Sequence, residues 1–290
     1  MTRAAMLASL FVVGASSVTA QTATPNAAGI TMGHLHYQVR DMTAHRQFWK
    51  ALGGVTVPTA IAGTEAFSFP GVLVVLTPGD STGGTEGSIV NHVAFRVQSF
   101  AAVEAAGFTV ARLAQFPGVG SVTTPEGERI ELFENAATNL TFTLDPSHTG
   151  TASEVAAADR HNHPLRQPIA FHHIHLYVPA GQVKDAQAWY VRMFGGLPGK
   201  RSNYDAVDLP GVNINISVGP RPTSPTAGRM LDHIGLMATS LESLSAALKD
   251  KGVSFTVPYT RPASGPAHAR IVDPWGTSIE LTEIGSGSLR

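Results

Sequence analysis

The sequence predicts an α+β fold assembled from four consecutive βαβββ modules, and three observations support that prediction. Blocks of sequence recur in the same order in the two halves of the chain, which indicates a tandem duplication. Within each half, a strand of alternating apolar and polar residues leads into a helix that ends at glycine, and short strands follow. Hydrophobic residues make up 43% and charged residues 14% of the 290 residues, which is typical of a globular protein with a sizeable core.

The elements follow one order in every module. The first module combines the strand "HLHYQV", the helix "MTAHRQFWKALGG" and the strands "AFSFP" and "VLVVLTP". The second combines "HVAFRV", the helix "FAAVEAAG" and the strands "FTVARL", "GSVTTP" and "RIELFE". The later half repeats the series, with "SLESLSAALKDKG" as its last helix.

Four pairs of blocks define the duplication. They are "GHLHYQV" and "HHIHLYV", "FPGVLVVL" and "LPGVNINI", "NHVAFRV" and "DHIGLMA", and "PEGERIELFE" and "PWGTSIELTE". We therefore predict an N-terminal domain at 30–135, a linker at 136–167 and a C-terminal domain at 168–285. The polar linker is expected to hold one short strand, "LTFTL", and a solvated loop, "RHNHP".

The first twenty residues predict a secretory signal peptide, residues 1–20. Arg3 precedes the apolar stretch "AAMLASLFVVGA", and the small residues "VTA" precede a cleavage site near Ala20–Gln21. We expect a periplasmic or secreted protein, with an uncleaved N-terminal anchor as the alternative. No later segment is apolar over a length that would span a membrane.

Composition also limits the partners. The absence of cysteine excludes disulfides, thiolate catalysis and iron–sulfur clusters, so a metal would need His, Asp, Glu or backbone oxygen as ligands. The net charge is −1 without a long basic run, which argues against nucleic acid. The expected partner is a small-molecule substrate, and both a monomer and a homodimer remain open.

Histidines and glutamates recur at matching places in the two halves. Side chains two residues apart on a strand share a face, so His173 and His175 share one with Tyr177, whereas His172 is predicted to point away and to pack. A histidine opens each second module, and a glutamate lies on each last strand. If these strands line one cavity, two histidines and one glutamate converge, an arrangement that holds a divalent metal and leaves one side open. For a single histidine, the alternative is a hydrogen-bonded core ring.

We predict the metal ligands His173, His233 and Glu280 in the C-terminal domain. A second possible set in the N-terminal domain comprises His34, His92 and Glu131. The C-terminal domain is favoured because more polar residues face its predicted cavity. Fe(II) is the favoured metal, and Mn, Zn or Ni are possible.

The blocks quoted above resemble the vicinal oxygen chelate superfamily, which includes glyoxalase I, bleomycin-resistance proteins, fosfomycin-resistance enzymes and extradiol dioxygenases. The resemblance covers both domains and implies two glyoxalase-like domains with their ligands at the six positions just named. Glyoxalase-type members use a fourth, carboxylate ligand, and Val75 and Asn215 occupy its place here. The resemblance therefore favours a three-ligand centre. The extradiol dioxygenases also have four modules, but they carry a tyrosine where this chain has Arg270.

Four residues are predicted to act on the substrate. His175 or His268 would move a proton, Arg270 would bind an anionic group, and Tyr177 lies on the same face as His175. The alternatives are a loop histidine for His268 and a surface ion pair for Arg270. We expect a secreted metal-dependent enzyme, extradiol-dioxygenase-like. A glyoxalase-type isomerase or lyase and a metal-free ligand-binding protein of the bleomycin-resistance kind are the alternatives.

Overall fold

A computed structural model describes residues 23–59, 61–137, 141–148, 150–219, 223–263 and 265–285. The predicted signal peptide, residues 1–20, lies outside these described residues. Among the helices that the structure describes, none has the length and apolar character needed to cross a bilayer.

The described residues form seventeen strands, five α-helices and one short 3₁₀ helix, Asp159–Asn162. The strands are β1 (Ile30–Val39), β2 (Val55–Val57), β3 (Glu65–Phe69), β4 (Val72–Pro78), β5 (Val90–Val97), β6 (Ala111–Arg112), β7 (Val119–Thr123), β8 (Arg129–Glu134), β9 (Phe142–Leu144), β10 (Ile169–Val178), β11 (Leu197–Arg201), β12 (Tyr204–Leu209), β13 (Val212–Val218), β14 (Leu231–Ala238), β15 (Phe255–Thr260), β16 (His268–Val272) and β17 (Ser278–Glu283). The helices are α1 (Met42–Ala51), α2 (Phe100–Ala105), α3 (Ala152–Ala158), α4 (Val183–Phe194) and α5 (Leu241–Asp250).

The predicted α+β fold of four βαβββ modules is confirmed. Each module runs strand, helix and three strands: β1 to β4 with α1, β5 to β8 with α2, β10 to β13 with α4, and β14 to β17 with α5. The predicted linker strand is present as β9, although 138–140 lie outside the described residues.

The modules form two mixed sheets, and each sheet takes one module from each repeat. The eight-stranded sheet has the order β15-β16-β17-β14-β1-β4-β3-β2, and the nine-stranded sheet has the order β6-β7-β8-β5-β10-β13-β12-β11-β9. The central pairs are antiparallel, β1 with β14 and β10 with β5. The sheets therefore cross the predicted boundary between the domains, and those domain limits themselves stay a prediction.

One hydrophobic core joins the two sheets to the helices. Its buried members include Trp49 on α1, Phe95 on β5, Ile174 on β10 and Leu248 on α5. The predicted end of α4 at glycine is present, since Gly195 lies in the left-handed region at φ 68°, a conformation that glycine adopts without steric cost. Because the core fixes both central strand pairs, it also fixes the polar side chains on their other face.

The linker is less exposed than its composition predicts. Thr151 and Glu154 form a capping box at the start of α3. His161 is buried and lies 2.7 Å from Asp208 on β12, and Arg160 binds the same carboxylate. The prediction of a solvated "RHNHP" loop is therefore wrong for these two residues, because Asp208 is a buried acid that requires partners.

Candidate metal centres

The structure groups the six predicted ligands across the repeats. Site 1, in the eight-stranded sheet, comprises His34, His233 and Glu280. Site 2, in the nine-stranded sheet, comprises His173, His92 and Glu131. The predicted set of His173, His233 and Glu280 is therefore corrected, since β10 pairs with β5 and not with β14. The second predicted set, His34, His92 and Glu131, is corrected for the same reason. His34 lies in the eight-stranded sheet, whereas the other two residues lie in the nine-stranded sheet.

Site 1 brings three donor atoms close together. His34 Nε2 lies 3.1 Å from Glu280 Oε2, and His233 Nε2 lies 3.5 Å from the same oxygen. Two ligand atoms bound at right angles, each about 2.1 Å from an ion, lie about 3.0 Å apart. The separations of both histidines from Glu280 Oε2 are close to this value, which makes the three side chains candidate ligands of one divalent ion.

Asp232 fixes the orientation of the His233 ring. Its Oδ1 accepts a hydrogen bond from His233 Nδ1 at 2.5 Å. A carboxylate accepts only, so Nδ1 carries a proton and Nε2 is the ring nitrogen that faces Glu280. A carboxylate behind a histidine is the arrangement that metal-binding histidines commonly use.

The charges of site 1 favour a cation. Burial raises the pKa of Glu280, but the hydrogen bonds from His233 and His34 outweigh burial and leave it lowered. Burial lowers the pKa of His233, and the hydrogen bonds to Asp232 and Glu280 reverse the shift and raise it. The Asp232 and Glu280 carboxylates thus favour positive charge on the His233 ring, and a metal ion bound at Nε2 would supply positive charge at the same place.

His36 lies beside the three site 1 residues. Its ring stacks on the His233 ring at 4.4 Å between centroids, and its Nε2 is hydrogen-bonded to Thr77 Oγ1 at 2.8 Å. One nitrogen each of His34, His36 and His233 lies within 4.8 Å of the others. Burial lowers the pKa of His36 to about 3, so the ring is neutral near pH 7.

Gly235 makes room for the His34 ring. It lies opposite His34 in the β1–β14 pair, and a Cβ at Gly235 would come within 2.1 Å of His34 Nδ1. That nitrogen is buried and has no hydrogen-bond partner in the described structure. The ring therefore sits directly on the backbone of β14, with Nε2 facing the carboxylate.

Site 2 has similar distances between its donor atoms. His92 Nε2 lies 3.0 Å from Glu131 Oε2, and His173 Nε2 lies 3.5 Å from that oxygen and 3.4 Å from His92 Nε2. Geometry alone would thus allow a metal in either site. The surroundings differ in charge, because site 1 has two carboxylates and one arginine, Arg270, whereas site 2 has one carboxylate and two arginines.

Two arginines approach the site 2 histidines. Arg129 places a nitrogen 2.8 Å from His92 Nδ1, and it also donates to Asn91 Oδ1, the side chain at the place that Asp232 has in site 1. Arg201 places a nitrogen 3.4 Å from His173 Nε2 and donates through Nε to Asn215 Oδ1 at 2.9 Å. Site 2 therefore holds positive charge at the positions where a metal would need negative charge.

Solved structures resemble the chain over most of its length. Glyoxalase I from Zea mays has 15% identity and a TM-score of 0.56, covering 88% of this chain and 92% of that chain. A glyoxalase I variant from the same species has 12% identity and a TM-score of 0.58, with 88% and 94% covered. A proposed dioxygenase from Bacillus subtilis has 15% identity and a TM-score of 0.60, with 89% and 86% covered. The chain has the glyoxalase fold. No protein-family model and no curated protein matches the sequence, and the resemblance to the vicinal oxygen chelate superfamily is confirmed at the level of the fold.

Within this glyoxalase fold, the four predicted catalytic residues divide between the two sites. Arg270 lies in site 1, with a nitrogen 3.4 Å from His233 Nε2 and 3.6 Å from Glu280 Oε1. His268 lies on the same strand, but its described contact is with Pro266 O. His175 and Tyr177 lie in site 2, with ring centroids 5.1 Å apart. The predicted set of four is therefore corrected, since no single site holds all of it.

The prediction that His172 points away from His173 is wrong, whereas the prediction that it packs is confirmed, since the side chain is buried. Its Nδ1 lies 2.8 Å from His173 Nδ1, and its ring contacts Phe133 and His161. The register against β5 shifts between Phe171 and His173, and such a bulge turns a side chain away from simple alternation.

Several contributing residues were not predicted from the sequence. They are Asn91, Arg129, Arg201 and Asp232. The signal that was available for Asn91 and Asp232 is their place directly before the second-module histidines, where one half has "NH" and the other "DH". Arg201 carries no such signal, because it lies on β11, where the two repeats differ in length.

Proposed function

We propose that the chain is a metal-dependent enzyme of the vicinal oxygen chelate superfamily, with site 1 as its catalytic centre. The observation that supports this most directly is the convergence of His34, His233 and Glu280 from three strands, with Asp232 behind His233. Fe(II) is the favoured ion, because two histidines and one carboxylate are the ligands of non-haem iron oxygenases. Mn, Zn and Ni accept the same donors.

Access from solvent also favours site 1. The side chains of Glu280 and Arg270 are 24% and 31% exposed, so a small substrate can reach them. In site 2, the Glu131 side chain is 10% exposed and that of His173 is fully buried. Of the two glutamates, that of site 1 is therefore the more accessible to a small substrate.

The side chains around site 1 suggest how a substrate would be held. When bound, the ion would act as a Lewis acid toward two neighbouring oxygens of the substrate. The Arg270 guanidinium would bind an anionic group by charge-assisted hydrogen bonds. His36, oriented by Thr77 and stacked on His233, would take the proton-transfer role that we predicted for His175 or His268.

The reaction that we favour is extradiol-dioxygenase-like cleavage of a small aromatic diol. Val75, at the place of the fourth glyoxalase carboxylate, faces His36 in the strand register and offers no ligand. A glyoxalase-type isomerase or lyase is the second candidate, supported by the structural likeness to glyoxalase I. Monomer and homodimer both stay predictions.

Elemental analysis and oxygen uptake test the proposal. The full chain, purified without chelators, should carry a stoichiometric first-row metal, and after Fe(II) reconstitution it should consume oxygen with members of a catechol panel. Glu280→Ala should lose both properties. A metal-free chain that still binds small ligands would replace the enzyme proposal with a ligand-binding protein.

Export remains part of the proposal. It is supported by the sequence of residues 1–20, and it places the enzyme in a periplasmic or extracellular compartment. N-terminal sequencing of the mature protein should give Gln21 as the first residue. A mature chain that begins at Met1 would contradict export by cleavage.

A further inference from the structure

Each site has an arginine beside a histidine Nε2, but the Arg270 side chain of site 1 is 31% exposed whereas the arginine of site 2 is buried. Arg201, the last residue of β11, is 2% exposed. Its Nε donates to Asn215 Oδ1, one of its terminal nitrogens lies 3.4 Å from His173 Nε2, and its guanidinium lies over the Phe133 ring at 5.1 Å. Burial lowers its pKa to about 10, so the guanidinium is charged near pH 7.

The charge balance of the two sites is opposite. Site 1 has the carboxylates Asp232 and Glu280 against one guanidinium, Arg270. Site 2 has the Glu131 carboxylate against the guanidiniums of Arg129 and Arg201. A divalent ion in site 2 would lie in a low-dielectric environment beside two fixed positive charges, where like charges repel strongly.

The partners of the site 2 rings also oppose metal binding. Arginine only donates, so Arg129 beside His92 Nδ1 favours the tautomer with the proton on Nε2, where it points at Glu131. The neighbouring Asn91 Oδ1, 2.8 Å from the same nitrogen, is a neutral amide oxygen and holds the other tautomer less firmly than the Asp232 carboxylate does in site 1. Site 2 thus has the side chains of a metal centre, but their hydrogen-bond partners do not hold His92 in the tautomer that leaves Nε2 free for a metal.

We propose that site 2 is a latent metal site in which the Arg201 guanidinium takes the place of the ion. The guanidinium supplies, beside His173 and Asn215, the positive charge that the buried Glu131 carboxylate requires. The chain therefore binds one divalent metal, in site 1, and removal of the guanidinium opens site 2 to a second ion of the same class. The expected stoichiometry of one metal ion per chain rests on the proposed function of site 1. The proposal that Arg201 keeps a metal out of site 2 does not depend on it.

Co(II) binding by the full chain tests the proposal. Equilibrium dialysis with Co(II) should give one ion per chain, which Glu280→Ala loses and Glu131→Ala keeps. Arg201→Met, with a side chain of similar length and no charge, should bind one ion more than the unchanged protein. Adding Glu131→Ala to Arg201→Met should remove that extra ion. Arg201→Lys is the matched control, and it should leave the stoichiometry unchanged because the ammonium retains the charge.

The outcomes separate the two proposals. An unchanged protein that binds two ions, one of them lost in Glu131→Ala, overturns the latent site and leaves site 1 intact. A folded Arg201→Met chain that gains no ion also overturns it. An unchanged protein without Co(II) overturns site 1, while a gain in Arg201→Met would still support site 2. If Arg201→Met does not fold, Arg201→Gln, which can still donate to Asn215, provides the same test.

Discussion

At the scale of single residues, the two sites have the same types of candidate ligand. They differ in the side chains that contact the Nδ1 atoms of the histidines. His233 and His92 occupy the same place in the repeat, and each has its Nδ1 within 2.8 Å of the side chain before it. That side chain is Asp232 in one case and Asn91 in the other. A carboxylate therefore fixes a proton on the Nδ1 of His233, whereas a neutral amide oxygen and an arginine both contact the Nδ1 of His92.

Replacement of Asp232 by Asn should weaken metal binding at site 1. Without the carboxylate, the His233 ring loses the partner that fixes its proton on Nδ1, and loss of such a partner typically costs about 10- to 100-fold in affinity. Competition with a chelator of known affinity measures the change. Asn91→Ala, the matched change in site 2, should leave the affinity as it is, and an equal loss in both variants would count against the assignment.

Gly235 provides a second test at this scale. In Gly235→Ala, the added methyl group would lie 2.1 Å from His34 Nδ1, so the ring must move away from Glu280. We expect the metal dissociation constant to rise on the order of tenfold, with the fold retained by circular dichroism. The control is Ala94→Gly at the matching place opposite His173, which removes a methyl group and should not change metal binding.

At the scale of elements, the sequence predicts strands and helices well because their periodicities are local. Alternation in "HLHYQV" and "HIHLYV" fixes which face carries His34 or His173. A β-bulge interrupts this alternation, and the sequence does not reveal the bulge when its extra residue is not glycine. In β1 the residue at the register shift is Gly33, but in β10 it is His172, and alternation therefore assigned His172 to the wrong side.

The linker carries a prediction that depends on pH. Burial lowers the pKa of His161 to about 4, and the Arg160 guanidinium adds to this, whereas the unfolded ring titrates near about 6.5. Below that pH the unfolded chain binds a proton that the folded chain does not. Acid therefore favours unfolding, and this contribution to the free energy of unfolding is lost as the pH falls from about 6.5 to about 4.

Denaturant unfolding at several pH values measures this contribution. The free energy of unfolding should fall over that range by about 3 kcal/mol more in the unchanged protein than in His161→Gln. The glutamine can still donate to Asp208 but cannot titrate. His163→Gln, in the same loop with an exposed side chain, is the control and should keep the pH dependence; equal slopes in all three proteins would contradict the role of His161.

At the scale of the whole molecule, the repeat is evident in the sequence but the choice of partner module is not. The strands "NHVAFRV" and "DHIGLMA" have the same pattern, so either could pair with β1 as far as local periodicity decides. The pairing is settled by packing between segments far apart in the chain. One hint is that the residue opposite His34 must lack a Cβ, and Gly235 satisfies this whereas Ala94 does not.

The last prediction follows from the way in which each site combines residues from both repeats. Site 1 takes His34 from the first repeat and Glu280 from the second, so His34→Ala should abolish metal binding as fully as Glu280→Ala does. The double variant should be no worse than either single one, because the two residues hold the same ion. His173→Ala should keep the metal, since its ring faces Glu131 in the other sheet. Elemental analysis of the four proteins decides between this pairing and a site within one repeat, for which His173→Ala would lose the metal and His34→Ala would keep it.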